Sequence, residues 1–152
     1  MEFSKETKKY WEEKDWKDLE KVESVKDLYN IAKRIIDRMP KPFVQVCGPI
    51  TTGGAGSIEK NLDLFNNTIT QLQNNGLVVF DQMPFEIPMQ ILKNKFSKEK
   101  ILKEMLNDFY IPIIESKMAS TYYFIPNWES SSGSKWEHKK AKEFGIEIVY
   151  LE

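Results

Sequence analysis

Four short apolar runs, at residues 43–47, 77–80, 121–126 and 146–151, constrain this chain more than any other feature, because helical periodicity fills the stretches between them. After the first run, Ile58, Leu62, Phe65, Ile69 and Leu72 recur at intervals of three and four until Asn74-Asn75-Gly76 stops the pattern. After the third, Trp136, Ala141 and Phe144 share one side of a helix that starts near Ser134. Apolar strands alternating with amphipathic helices require parallel pairing through right-handed crossovers, with helices on both faces. The expectation is an α/β fold of the three-layer Rossmann or flavodoxin-like type, its small parallel sheet holding about four to five strands.

The first forty-one residues differ from the rest. They are dense in charge, with Tyr10, Trp11, Trp16 and Leu19 as isolated large apolar groups, followed by a helix from Ser24 that ends at Pro40 and Pro42. The chain therefore reads as an N-terminal helical arm, 1–41, that supplies packing surface, and an α/β domain, 42–152. Residues 81–96, with Pro84 and Pro88, read as a long irregular segment whose Met and Phe side chains either form a lid or pocket wall or make a hydrophobic flap packed on the core or on a dimer mate.

Charge excludes several classes of function. Lys and Arg number 22 against 23 Asp and Glu, so no global field attracts a nucleic-acid polymer or an anionic membrane. Arg34 and Arg38 are the only arginines, and an anion bound after residue 38 must be held by Lys or by backbone N–H groups. One His and one Cys make no zinc cluster, and no metal or cofactor is expected. Cys47 reads as a small buried hydrophobe, and the absence of a disulfide fits a cytoplasmic location. No apolar run approaches the length of a membrane span.

Glu137 is the leading candidate catalytic residue. It falls on the apolar side of its helix, where a carboxylate costs several kcal/mol unless partners or a helix N-terminus offset the loss of water. A reacting group is one reason for such a placement. A capping box, Ser134-x-x-Glu137, is the other. The second candidate element is Gly48-Pro49-Ile50-Thr51-Thr52-Gly53-Gly54-Ala55-Gly56-Ser57, a glycine-rich link from strand to helix. Its backbone N–H groups are placed to cradle a phosphate or carboxylate, although it follows neither the Walker nor the dinucleotide glycine pattern. Asp81, ending the second run, and Asn127 and Trp128, following the third, lie at the same carboxyl edge, where ligands of open parallel sheets bind.

Cys47-Gly48-Pro49 with its glycine-rich loop, and Asn127-Trp128-Glu129-Ser130-Ser131-Ser132-Gly133-Ser134-Lys135-Trp136-Glu137 with Ala141 and Gly145, together resemble the nucleoside 2-deoxyribosyltransferase superfamily over residues 43–151. Deoxynucleoside monophosphate N-glycosidases belong to the same superfamily. The resemblance implies that Glu137 is the nucleophile. It also implies that Gly48, Pro49, Gly53, Gly54, Gly56 and Ser57 hold sugar or phosphate, with Asp81, Asn127, Trp128, Gly133 and Ser134 completing the substrate site. The expected ligand is a nucleoside or nucleotide, and the expected assembly is a homodimer or higher homo-oligomer, since family members often complete their sites across a subunit interface. This chain departs from the family at the aspartate that normally precedes the third strand: Pro112 and Ser120 occupy that region, with Asp108 a turn earlier.

Gly53 to Glu59 is also similar to a glycine-rich segment of phosphoribohydrolases acting on cytokinin-type nucleotides, but that family pairs its glutamate with an arginine, and both arginines here lie in the arm. The function expected is thus cleavage or exchange of an N-glycosidic bond. The alternative is a nucleotide-sensing or scaffolding module of the same fold that has lost catalysis.

Overall fold

The computed structural model describes residues 2–51 and 53–152, and these form two compact units. One unit combines the N-terminal segment through Met39 with Gln82–Glu115; the other combines Pro40–Asp81 with Ser116–Glu152.

The second unit carries the sheet. β1 (Phe43–Cys47), β2 (Ala119–Phe124) and β3 (Glu147–Tyr150) are parallel in the order β1-β2-β3. Every residue of β1 is buried, which accounts for its apolar composition apart from Gln45 at the centre. The run at 77–80 does not extend the sheet as a full strand. It is reduced to a single parallel bridge between Val44 and Val79, in which Val44 N–H donates to Val78 O at 2.8 Å and Phe80 N–H to Val44 O at 2.9 Å. The sheet therefore has three strands rather than four to five. Leu77 itself is held by the helix behind it, its N–H donating to Leu72 O, so little chain remains to pair with β1.

Two helices connect these strands, α4 (Ile58–Asn74) after β1 and α8 (Ser132–Glu143) after β2. From β1 the chain turns to the Val79 edge and from β2 to β3, in opposite directions, and the right-handed crossover rule then places α4 and α8 on opposite faces. In-register residues of parallel strands share a face, so Gln45, Cys47, Tyr122, Phe124 and Tyr150 form one surface. Ring contacts of Phe124 and Tyr150 with His138 identify it as the α8 surface. The switch in strand order falls between β1 and β2, and their carboxyl ends open onto the loops that follow Cys47 and Phe124.

The first unit consists of α1 (Lys5–Lys8), α2 (Glu13–Leu19), α3 (Val25–Arg38), α5 (Met83–Lys95), α6 (Lys98–Glu104), a π-helical turn at Met105–Tyr110 and α7 (Ile111–Glu115). Residues 83–95 are helical rather than irregular, and their apolar side chains follow the packed alternative rather than the lid. Pro84 sits in the first turn, where a missing N–H removes no bond, and Pro88 forgoes one bond near that same end. Met83, Phe85, Met89 and Leu92 are buried there as core rather than presented to a ligand. Pro112, at the start of α7, has no N–H to return to Asp108 and its ring crowds that carbonyl; the turn before it widens into the π form.

Both arginines fasten the N-terminal segment. Asp15, 1% exposed, receives Arg34 at 3.2 Å and Arg38 at 2.5 Å, while Arg34 also reaches Asp18 at 2.8 Å and Arg38 donates to Tyr10 O at 2.8 Å. Trp11 and Trp16 stack at 4.1 Å, and Trp11 meets Phe85 at 5.4 Å. Without Arg38, the buried Asp15 carboxylate keeps Arg34 and the Glu12 N–H but loses a charge-assisted hydrogen bond. Arg38→Ala is therefore expected to lower unfolding stability by about 2 kcal/mol, as measured by chemical denaturation. A change within about 0.5 kcal/mol, the range of ordinary surface substitutions, would show that the network contributes nothing.

Candidate functional site

The helix carrying Glu137 begins earlier than its sequence suggests. Ser131 is the N-cap, its Oγ accepting from Ser134 N–H at 3.4 Å, and the helix starts at Ser132. Glu137 consequently lies in the second turn, beyond the reach of a capping box with Ser134. Ser134, Glu137 and Ala141 form the stripe that faces the sheet: Ser134 and Ala141 are fully buried and Glu137 is half-buried. Trp136 and Phe144, expected to lead this face, are only half-buried, and Lys140 lies over the Trp136 ring.

Glu137 meets the carboxyl end of β1. The Cys47 thiol and the Tyr122 phenol both lie close enough to its carboxylate to feel its charge. Burial pushes the Cys47 thiol well above its ordinary range, and the adjacent Glu137 charge pushes it further. Tyr122 is raised likewise, first by burial and then by its two neighbours. Cys47 is therefore a protonated, inert thiol. Its part in the site was not visible in its residue type alone; the signal was its place as the last residue of an inward-facing strand.

Ser134 adds a polar group without a use inside the fold. It is 1% exposed, and its Oγ has no hydrogen-bond partner among the described residues. Gly133, in the first turn, is exposed. A few residues upstream, Trp128 stacks on His138 at 4.2 Å, and His138 Nε2 lies 2.6 Å from the Tyr150 hydroxyl. His138 is thus part of an aromatic cluster rather than of a solvated lysine face. Burial lowers its pKa, with Lys142 acting in the same direction and Glu129 opposing.

The glycine-rich loop is knitted to the protein rather than left open. Gly53, Gly54 and Gly56 adopt φ of +70°, +65° and +97°, and Ser57 caps α4 by accepting from Lys60 N–H at 3.2 Å. Gly54 N–H donates to Ser130 Oγ at 2.8 Å and Ala55 N–H to Asn61 Oδ1 at 2.8 Å. Asn61, buried, returns its Nδ2 to Ile50 O at 3.0 Å and Gly53 O at 3.1 Å. Ser130 Oγ in turn donates to the carbonyl of Asn127, itself in the left-handed region at φ 69°. A Cβ at Gly54 would stand 2.5 Å from Asn61 Oδ1, so the close approach requires glycine. Two amides expected to face an anion thus already have partners. Thr52, within the expected loop, lies outside the described residues.

Gly48 and Pro49 are buried directly after β1, with the Ile125 side chain 3.0 Å from where a Gly48 Cβ would be. A cleft of about 380 Å³ opens beside them, walled by Pro49, Gly54, Asn61, Leu64, Ile125 and Asn127 among others. Among the described residues that line it there is no Lys, Arg or His, and Glu152 is the one charged side chain. Leu64, 42% exposed, is an apolar wall of this cleft. The loops after β1 and β2 thus bring Pro49, Gly54 and Asn127 together, whereas Glu137, Gly133 and Ser134 gather outside the cleft. Asp81 is buried at the end of the 77–80 run and is not among the residues that wall the cleft. Among the described residues no cluster of His, Cys, Asp and Glu could hold a metal, and no helix is long and apolar enough to cross a membrane.

Residues 43–150, running from β1 to the end of β3, match the domain of unknown function DUF4406, and the chain belongs to that family. No curated protein and no solved structure matches it.

Proposed function

We propose that this protein cleaves or exchanges the N-glycosidic bond of a nucleoside or nucleotide, as a member of the nucleoside deoxyribosyltransferase-like superfamily, with Glu137 as nucleophile. One observation carries the reading: Glu137 caps no helix and is instead turned toward the sheet at the carboxyl end of β1, beside Cys47 at the switch in strand order. A half-buried carboxylate in that place suits attack on an electron-poor sugar carbon. Its oxygen bonds to C1′ while the C1′–N bond breaks, the electron pair leaves with the base nitrogen, and solvent supplies the proton. Water or a second base then displaces the glutamate from C1′ and restores the carboxylate. The buried Ser134 hydroxyl is available to a sugar hydroxyl. The working unit in this proposal is a homodimer or higher homo-oligomer.

A second reading, a sensing or scaffolding module, is favoured by the loop: Gly54 and Ala55 already donate within the protein, and the cleft beside them excludes Glu137. Incubation with a panel of nucleosides and their 5′-monophosphates, followed by chromatography for free base, separates the two. Catalysed base release supports the glycosidase or transferase, whereas saturable binding without release across the panel supports the module.

A further inference from the structure

The cleft beside the glycine-rich loop is lined by polar groups that the fold itself does not use. Apolar walls reach it from three places, Leu64 on α4, Ile125 after β2 and Leu151 after β3. Between them stand two primary amides, Gln71 of α4 and Asn127 of the loop after β2, together with the Glu152 carboxylate. Among the described residues no hydrogen bond or ion pair engages any of these three side chains.

Asn127 is fixed in place while its amide stays free. Its backbone lies at φ 69°, where few residues other than glycine settle and asparagine is tolerated. The Ser130 N–H at 3.0 Å and the Ser130 hydroxyl at 2.6 Å both donate to its carbonyl, and Gly54 N–H donates to the same hydroxyl. Sparsely populated backbone held this firmly is found where ligands are gripped, because the ordering cost is met before the ligand arrives.

Charge decides the class of ligand. The described lining offers an anion no cation, the Gly54 and Ala55 amides are already engaged, and a phosphate would meet the Glu152 carboxylate. An uncharged molecule is required. A primary amide presents a donor beside an acceptor, which matches a ring nitrogen next to an exocyclic amino group, and a carboxylate accepts from the same amino group. The flat faces of such a ring suit Leu64, Ile125 and Leu151.

We propose that this cleft binds an uncharged planar heterocycle bearing an exocyclic amino group, of the aminopurine kind, with Asn127 reading the amino edge. Its volume of about 380 Å³ falls within the range of small-ligand sites, about 300–1,000 Å³. The site uses neither Glu137 nor Ser134, so it stands whether or not the protein breaks a glycosidic bond.

Calorimetric titration of the full chain with adenine is expected to show one saturable site. Purine, which lacks the amino group, and adenosine 5′-monophosphate, which adds a phosphate, should each bind at least about tenfold more weakly. Asn127→Gly removes the amide and keeps the left-handed backbone, so it should weaken adenine about tenfold. Leu64→Trp, at a wall position 42% exposed, should fill the cleft and abolish binding, with circular dichroism confirming the fold of both variants. Glu137→Gln should bind adenine as the parent does. No saturable binding of adenine, affinity for purine or the monophosphate equal to that for adenine, or parent-like affinity in either cleft variant overturns the site. Loss of adenine binding in a folded Glu137→Gln protein places the ring at Glu137 and overturns it as well.

Discussion

Glu137→Gln is expected to reduce base release by about three orders of magnitude or more while leaving the fold intact. Glutamine keeps the size and polarity of the side chain, but its amide oxygen does not form the glycosyl ester. The N-terminus of α8 is capped by Ser131, so no cap is lost with the charge. Thermal unfolding should therefore report a change of about 1 kcal/mol or less. Both quantities are to be measured on the same preparation, by single-turnover base release and by calorimetry. Unaltered turnover in a folded Glu137→Gln protein would sink the nucleophile assignment. Loss of turnover accompanied by a large loss of stability would point instead to a structural carboxylate.

Between about pH 5 and pH 7 the unfolding free energy is expected to fall by about 2 kcal/mol on account of Glu86 alone. This carboxyl group is buried on α5, 3% exposed, with the Tyr110 hydroxyl donating to it at 3.5 Å. Burial raises its pKa to about 7, against the smaller opposing pulls of Lys93 and Tyr110. The folded protein therefore keeps a proton that the unfolded chain releases near its ordinary value of 4.5. The stabilisation is fully present below that value and is lost as pH rises through about 7. Lys93 is partly desolvated on the same helix and has its pKa lowered, chiefly by burial, so the variant to compare is Glu86→Gln both alone and combined with Lys93→Met. Chemical denaturation across this window should show the slope in the parent and its absence in both variants; a persistent slope refutes the assignment. Asp15 acts in the opposite sense and at lower pH. Its desolvation is outweighed by Arg38, the Glu12 N–H and Arg34 together, which depress its pKa, and its contribution disappears as acid protonates it.

The strands were legible because each is short and rich in β-branched or aromatic residues, so residue type marked 43–47 and most of the later two, although only β1 is buried throughout. Residues 77–80 carry the same composition but form one bridge, because pairing depends on what lies alongside, which local pattern does not contain. Residues 83–95 were obscured by Pro84 and Pro88: Pro84 falls in the first turn, where the backbone tolerates proline, whereas Pro88 lies inside the helix at the loss of one hydrogen bond, which local pattern reads as a break. The position of Glu137 was legible and its capping alternative was resolved only by locating the cap at Ser131. Least visible were the partners of the glycine loop. Gly54 and Ser130 are 76 residues apart, and nothing in either segment announces the other.

That one serine hydroxyl, accepting from Gly54 and donating to Asn127, turns the loops after β1 and β2 into a linkage with a shared motion. Displacing either end transmits to the other through a single rotor. A molecule that draws residues 127–130 toward α8 would release the Gly54 amide on the far side, and an anion that claims the amide would free the hydroxyl. Occupancy of the two places would then be coupled even though no ligand touches both.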